Sequence, residues 1–200
     1  MIPVLSVDTI DRAALETLGL HCRDHSDGTL ATFRDQGILV VTKGTVPDGF
    51  IPMRFDHIAL GVNDVEQEAA DGLARGARLS ADFTPDGPKS IPEFWDKGVR
   101  FVFFDAPANA PLELCQNLAA TNSSNGHDHY AIRTGNLDKT SNMLGEMGAT
   151  VLATYRLDTP DGPVNVRFLG LNGRVFELFD EAGGRAHKDG LGWIGLVPHA

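Results

Sequence analysis

An internal repeat constrains the fold of this chain more than any other feature of its sequence. An Asp-His pair inside an apolar segment occurs at residues 56–57, in FDHIALG, and again at 128–129, in HDHYAIR. The turn sequence TPDGP occurs at 84–88 and again at 159–163. Such self-similarity indicates two copies of one supersecondary unit that must associate to bury a shared core.

Three further landmarks recur in the same order. A glycine follows each histidine by nineteen residues, a Val-Arg-Phe sequence comes later, and a glutamate between apolar neighbours ends each copy. These landmarks are Gly76 and Gly148, Val99-Arg100-Phe101 and Val166-Arg167-Phe168, and Leu112-Glu113-Leu114 and Phe176-Glu177-Leu178. Five matches in register are hard to attribute to chance, so the two segments are treated as equivalent modules.

Each module is predicted to have the element order βαβββ. A first strand carries the histidine, and the helix after it ends at Gly76 or Gly148, because glycine suits the positive φ that follows a helix C-terminus. A second strand runs into the TPDGP turn, a third carries Val-Arg-Phe, and a fourth carries the glutamate. The first strands are predicted at 54–62 and 127–134, and the helices at 64–75 and 136–147.

The N-terminal segment is interpreted as a related but incomplete unit. A helix with Asp8 as N-cap, followed by three strands, predicts an αβββ fragment that lacks the first strand. The C-terminal sequence WIGLVPHA is a candidate for one extra strand. The predicted fold class is therefore α+β, with units at residues 1–50, 51–120 and 121–182 and a tail at 183–200.

Charge and composition argue against several classes of function. The formal net charge is −10 and no Lys/Arg cluster offsets it, so the surface repels nucleic acid phosphates. No run of about 18 apolar residues is present, which argues against a membrane span. The segment MIPVLSVDTID lacks the pattern of a secretory signal, and two distant cysteines do not make a disulfide framework. These features predict a cytoplasmic location.

The repeated histidines and glutamates are the candidate metal ligands. Two imidazoles and two carboxylates suit a borderline or harder divalent ion, and such a set leaves coordination positions for water or substrate. The alternative for each residue alone is a core histidine or an exposed glutamate. The set is His57, Glu113, His129 and Glu177. His127 has the strand parity of His129 and competes with it, although alignment with His57 favours His129.

Other side chains are candidates for contact with a substrate. Arg100 and Arg167 occupy matching places on the third strands and would bind a carboxylate or phosphate if they face the cavity. The opposite parity of Phe101 and Phe103 favours an outward direction for both arginines. Trp95 lies in GPKSIPEFWDKG, an insertion in the first module that forms either a lid or substrate wall, or a surface loop that packs its own aromatics.

The repeated pattern of DHIAL, helix, glycine, hairpins and LEL resembles the vicinal oxygen chelate superfamily over roughly residues 54–181. Its His/Glu/His/Glu set is similar to that of glyoxalase I and its relatives. The resemblance implies paired βαβββ modules that form a half-open barrel around a divalent metal ion (Zn, Ni, Co, Mn or Fe). It also implies one ligand on the first and one on the fourth strand of each module, here His57, Glu113, His129 and Glu177.

The resemblance further implies a metal-dependent isomerase, epimerase or lyase that acts next to a carbonyl of a small oxygen-rich metabolite through a metal-stabilised enediolate. A ligand glutamate is then the catalytic base, Glu177 first and Glu113 second. The helix DVEQEAADGLARG lacks the Phe-Tyr of many members, which argues against recognition of a glutathione conjugate.

Two alternatives stay open. An Fe(II)-dependent dioxygenase would use two histidines and one glutamate, and Glu113 as a fourth ligand argues against it. A non-catalytic ligand-binding or resistance protein would not need the quartet. The partners expected are a small-molecule substrate and, if modules swap between chains, a second copy of this chain in a homodimer.

Overall fold

Two mixed β-sheets with helices packed against them make up the computed structural model, which describes residues 1–119, 128–160, 162–180 and 192–198. The N-terminal elements are β1 (Ile2–Val7), α1 (Arg12–Thr17), β2 (His21–His25), β3 (Gly28–Phe33), β4 (Gln36–Thr42) and β5 (Ile51–Pro52). The first repeated module contains β6 (His57–Gly61), α2 (Val65–Ala74), β7 (Lys89–Ile91), β8 (Val99–Phe104) and β9 (Leu112–Asn117). The second contains β10 (His129–Thr134), α3 (Leu137–Glu146), β11 (Thr150–Thr159), β12 (Gly162–Leu171) and β13 (Arg174–Asp180), and β14 (Trp193–Val197) follows.

The two repeated modules form one eight-stranded sheet in the order β11-β12-β13-β10-β6-β9-β8-β7. In each module the first strand runs parallel to the last, as β6 with β9 and β10 with β13. The two first strands, β6 and β10, pair antiparallel at the centre, with Ala131 opposite His57. The modules therefore pair within one chain, and the curled sheet is the predicted half-open barrel of an α+β fold.

Each repeated module begins its helix with a side-chain cap and ends it with a glycine. Asp64 accepts a hydrogen bond from the backbone N–H of Gln67 at 3.0 Å, and Asn136 accepts one from Lys139 at 2.9 Å. Gly76 and Gly148 follow the helices with φ values of +95° and +97°. Both glycines therefore have the role that the sequence predicted, because L side chains disfavour this backbone conformation.

The eight-stranded sheet has two chemically different faces. One face packs against α2 and α3 through residues such as Leu114, Leu178, Val65 and Leu144, and we call it the helix face. The other face carries His57 and the residues that share its parity, and we call it the inner face. Side chains directly opposite on neighbouring strands share a face, so strand register assigns each residue to one of the two.

The N-terminal unit is a complete βαβββ module rather than the predicted αβββ fragment. Ile2–Val7 forms a strand before the helix, parallel to β4 and antiparallel to β14. The prediction missed it because this strand is buried on both sides and shows no polar alternation. The helix begins later than predicted, since Asp11 rather than Asp8 accepts the capping hydrogen bond from Ala14.

The second strand of the first module also differs from the prediction. Leu79 forms a single bridge to Phe104, and the chain then turns through residues 80–87. The short strand β7 forms the edge of the sheet in the first module, and the ten-residue β11 forms the opposite edge in the second module. The second module has the same TPDGP sequence between long strands, so the longer connection between Thr84 and Val99 in the first module is the feature that distinguishes the two.

The N-terminal sheet has the strand order β2-β3-β4-β1-β14-β5, so β14 lies between β1 and β5. One buried core joins both sheets, since it includes Leu5 and Phe33 as well as Ile58 and Leu169. Among the described helices, none has the length and apolar character needed to cross a membrane. The linker predicted at 121–126, His127 and the Gly-rich link before Trp193 lie outside the described residues.

Candidate metal centre

The two histidines come together because the first strands of the modules are neighbours. Across β6 and β10, Ala131 lies opposite His57 and His129 lies opposite Ala59. Both imidazoles therefore project from the inner face, with ring centroids 5.5 Å apart. His57 and His129 are 6 % and 5 % exposed, so neither is solvated.

The two glutamates reach the same point from the last strands. Glu113 pairs in register with Ala59, and Glu177 pairs in register with Ala131, so the modules place their carboxylates at equivalent positions. Glu113 Oε2 lies 2.9 Å from Nε2 of His57 and 3.5 Å from Nε2 of His129. Glu177 Oε2 lies 3.7 Å and 3.4 Å from the same two nitrogens. The structure thus brings together all four residues predicted from the repeat.

These separations fit donor atoms that surround one cation. Two donor atoms about 2.1 Å from the same ion are about 3.0 Å apart at an angle of about 90° and about 3.4 Å apart at a tetrahedral angle. Within the described part of the chain, the buried Nε2 of His57 makes no hydrogen bond of good geometry although Glu113 is 2.9 Å away. His57, His129 and Glu177 each offer one ligand atom within 4.8 Å of the other two, which is close enough for the three to share one ion.

Electrostatics of the buried cluster favour a compensating positive charge. Burial lowers the pKa of His57, but the hydrogen bond with Asp56 and the nearby charge of the Glu113 carboxylate raise it to about 9. Burial also lowers the pKa of His129, whereas Glu177 and Glu113 raise it to about 10. Burial raises the pKa of Glu113, but both imidazoles bring it down to about 2. In the metal-free protein at neutral pH the histidines therefore carry two positive charges, which one divalent cation can replace.

Two residues behind His57 were not predicted as part of the site. Asp56 lies 3.0 Å from Nδ1 of His57 and also binds Nη2 of Arg133 at 2.6 Å. The Arg133 guanidinium lies over the Phe179 ring, 5.5 Å from its centroid. The signal for Asp56 was present, because the repeat contains Asp-His in both modules. No sequence feature indicated the role of Arg133, since its partner Asp56 is 77 residues away.

Arg100 and Arg167 do not face the metal ligands, which corrects their assignment as substrate-binding residues. On the third strands, Phe103 lies opposite Glu113 and Phe168 lies opposite Glu177, so the intervening arginines project from the helix face. Arg100 forms an ion pair with Glu66 of α2, and Arg167 forms one with Asp138 of α3 at 3.0 Å. The outward direction favoured by strand parity is the one observed.

The Val-Arg-Phe landmarks are also offset in the structure. Phe103 and Phe168 are the equivalent residues by register with the glutamates, whereas the sequence match paired Phe101 with Phe168. The offset is two residues, so it preserves the face on which each side chain lies. Phe103 meets the His57 ring edge-on at 4.9 Å, and Phe168 meets the His129 ring edge-on at 6.1 Å.

Trp95 lies on the inner-face side of the sheet, half-buried. Its ring is 5.1 Å from that of Phe168, and its backbone N–H donates to the hydroxyl of Tyr155 at 2.9 Å. Phe168 and Tyr155 belong to the second module, so the insertion of the first module reaches across the barrel. The lid or wall interpretation of this loop fits this position better than a loop that packs only on itself.

Cys115 and the other described histidines do not belong to the cluster. Cys115 is buried on the inner face, two residues after Glu113, and burial raises the pKa of its thiol well above the ordinary value. His21 and His25 are exposed on β2, in the N-terminal sheet. His127, His187 and His199 are outside the described residues.

Solved structures share this architecture. No protein-family model matches the sequence, and no curated protein matches it either. A mutant of glyoxalase I from Zea mays superposes with a TM-score of 0.64 and 19 % identity, over 94 % of this chain and 69 % of that chain. Glyoxalase I from Zea mays itself gives a TM-score of 0.60 and 21 % identity, over 88 % and 65 % of the two chains.

A mutant of 4-hydroxymandelate synthase from Streptomyces coelicolor gives a TM-score of 0.55 and 11 % identity, over 88 % of this chain and 68 % of that chain. This chain therefore spans about two thirds of the length of each of these structures. At such identities the likeness is one of fold. It confirms the resemblance stated from the sequence at that level: the chain has the paired βαβββ fold of the vicinal oxygen chelate superfamily.

Proposed function

We propose that this protein is a divalent-metal-dependent isomerase, epimerase or lyase that acts next to a carbonyl of a small metabolite. The observation that carries the proposal is the buried cluster of His57, Glu113, His129 and Glu177, whose nitrogen–carboxylate separations run from 2.9 to 3.7 Å. These four residues would hold a divalent ion, which would supply Lewis-acid polarisation to two neighbouring substrate oxygens.

The two glutamates have unequal roles in this proposal. Glu177 is the base that takes the proton from the carbon next to the carbonyl, and Glu113 remains a ligand. The Glu177 side chain is more exposed, at 11 % against 7 %, and its distances to the imidazoles are on average the longer ones. The more exposed and less closely held carboxylate is the one that can reach a substrate proton.

An Fe(II)-dependent dioxygenase is the second candidate. The grouping of His57, His129 and Glu177 is a two-histidine, one-carboxylate set, which suits iron in oxygenases. Glu113 favours the first proposal because its carboxylate lies 2.9 Å from His57 and 3.5 Å from His129 and would act as a fourth protein ligand.

The decisive experiment measures the metal content of protein purified without chelators, alongside alanine variants of each of the four residues. About one divalent ion per chain is expected in the parent, with loss of the ion in every variant. His25→Ala is the matched control, because this exposed histidine of β2 lies in the other sheet. A metal-free parent that also fails to take up Zn, Ni, Co, Mn or Fe would overturn the proposal and leave a binding protein.

The identity of the ion then separates the two enzyme classes. Uptake of Zn, Ni or Co in preference to iron supports proton-transfer chemistry. Strict dependence on Fe(II) together with consumption of oxygen supports the dioxygenase instead.

A further inference from the structure

Aromatic side chains surround the metal centre on the inner face. Phe103 and Phe168 each meet one ligand histidine edge-on, as described above. Phe179 lies 6.4 Å from the His57 ring on the second module's side, and Phe83 stacks at 4.3 Å behind Phe103. Whatever chelates an ion held by the four ligands therefore meets aromatic carbon from both modules.

The insertion between β7 and β8 adds two more rings from the opposite direction. Phe94 is 4 % exposed, and its ring lies 5.1 Å from Phe168 and 5.0 Å from Tyr155. Trp95 has a φ of +56°, an uncommon conformation for a tryptophan, and the hydrogen bond to Tyr155 holds it there. The loop is thus fixed against the second module and completes an aromatic wall beside His129.

Cationic groups on the inner face are already committed to the protein. Among the described strand residues that face inward, Arg133 and Lys89 are the cations. Arg133 binds Asp56, and exposed Lys89 donates to the backbone carbonyl of Phe83 at 2.8 Å. Arg100 and Arg167 point to the helix face. On the described strands of the inner face, a substrate with a phosphate or a second carboxylate would therefore meet aromatic surface rather than an uncommitted cation.

We infer that the substrate carries an aromatic ring next to the oxygens that bind the metal ion, and that Trp95 and Phe168 contact this ring. The inference rests on the proposed function, because it assumes that the oxygens are held at the four-ligand centre. The rings of Trp95, Phe168 and Tyr155 lie 5.1 to 6.3 Å from one another in edge-on or tilted arrangements. A further ring beside half-buried Trp95 would gain contacts of the same kind, which stabilise aromatic groups beyond what burial alone provides.

Three hydroxamates test the inference on the metal-loaded full chain. Acetohydroxamate, cyclohexanecarbohydroxamate and benzohydroxamate chelate a metal ion through the same two neighbouring oxygens and differ only in the attached group. Calorimetry is expected to rank benzohydroxamate above the cyclohexane compound by about threefold or more, since aromatic contacts add to apolar burial. Acetohydroxamate should bind more weakly than both.

Variants locate the contact. Trp95→Leu and Phe168→Leu keep apolar bulk but remove a ring, so each should remove the preference for benzohydroxamate over the cyclohexane compound. Two separate variants are used so that a folding defect in one does not decide the result. Leu73→Ala is the control, because Leu73 is an exposed residue of α2, and this variant should keep the preference.

Equal binding of benzohydroxamate and the cyclohexane compound would overturn the aromatic substrate class while leaving the chelating function intact. A preference that survives both leucine variants would overturn the assignment to Trp95 and Phe168. Failure of all three hydroxamates to bind the metal-loaded protein would overturn the proposed function and this inference with it.

Discussion

Asp56 Oδ1 lies 3.0 Å from Nδ1 of His57, on the side of the ring opposite the metal cluster. The Asp56 and His57 side chains are each 8 % exposed, and Arg133, equally buried, binds the other carboxylate oxygen. A carboxylate in this position accepts the Nδ1 proton and so fixes the tautomer that leaves Nε2 available for a cation. The arginine orients the carboxylate, so the position of the His57 ring is set by two successive contacts.

Asp56→Asn should weaken metal binding by about 10- to 100-fold, the usual cost of losing a partner that orients a ligand histidine. Competition with a chelating dye measures the affinity. Asp138→Asn, which removes a carboxylate from an exposed pair with Arg167 on the helix face, is the control. Because the first change leaves Arg133 buried without its charge partner, the double variant with Arg133→Met should recover stability but not metal affinity. Unchanged affinity in Asp56→Asn would contradict the orienting role.

Metal binding near pH 7 should release about two protons per ion. The pKa values of His57 and His129 are raised to about 9 and about 10 in the metal-free protein, so both rings are protonated and must lose a proton to coordinate. Calorimetry in buffers with different ionisation enthalpies gives the number of protons. Release of none would show that the imidazoles are neutral before the ion binds.

The metal-free protein should lose stability as the pH rises from 6.5 towards 10. Both histidines bind protons more tightly in the folded chain than in the unfolded chain, where their pKa is near 6.5. Their contribution to folding stability is therefore complete below pH 6.5 and is lost as the pH rises to about 9 for His57 and about 10 for His129. Glu113 acts in the opposite direction, because its pKa is lowered from 4.5 to about 2 and its contribution is lost as the pH falls through that range.

Thermal melts in the presence of a chelator would measure this profile, with the highest Tm expected between pH 4.5 and 6.5. Glu113→Gln should flatten the alkaline side, because Glu113 helps to raise the pKa of both histidines. With metal bound, the alkaline loss should vanish, since protons then compete with the ion. A Tm that rises from pH 6.5 to pH 9 without metal would contradict the pKa shifts.

The four clustered residues were predictable because each residue type recurs at the equivalent place of two modules. One histidine in an apolar strand does not differ from an ordinary core histidine, and one glutamate between leucines usually faces water. The match between modules is what distinguished His57 and Glu113. Helix ends were predictable for a local reason, because Gly76 and Gly148 mark a backbone conformation that other residues avoid.

Features that depend on register between distant strands were not predictable. The Asp56–Arg133 pair requires β6 and β10 to be neighbours, and β1 finds its partner β14 at the other end of the chain. The Val-Arg-Phe offset has a similar origin. Seven residues join β8 to β9 and only two join β12 to β13, so matching the letters of the sequence does not reproduce the strand pairing.

Thr84→Val should destabilise the protein by roughly 1–3 kcal/mol, the cost of leaving buried polar groups without partners. Thr84 is fully buried, and its hydroxyl accepts from the N–H of Phe103 at 2.8 Å and donates to the carbonyl of Phe103 at 3.2 Å. Thr159, the corresponding residue of the second TPDGP, makes one such bond at 2.6 Å in a half-buried position. Thr159→Val should therefore cost less in urea unfolding, and an equal cost would contradict the argument.

Two glycines three residues apart should respond oppositely to the same substitution. Gly148 has a φ of +97° and open space around it, so Gly148→Ala meets no clash and costs only the backbone strain, about 1–2 kcal/mol. Gly145 lies within α3, is exposed and also has open space, so Gly145→Ala should stabilise by about 0.5–1 kcal/mol because alanine is the better helix former. Urea unfolding of both variants measures the difference. Since the added side chain is identical and both positions have open space, equal effects would contradict the role given to backbone conformation.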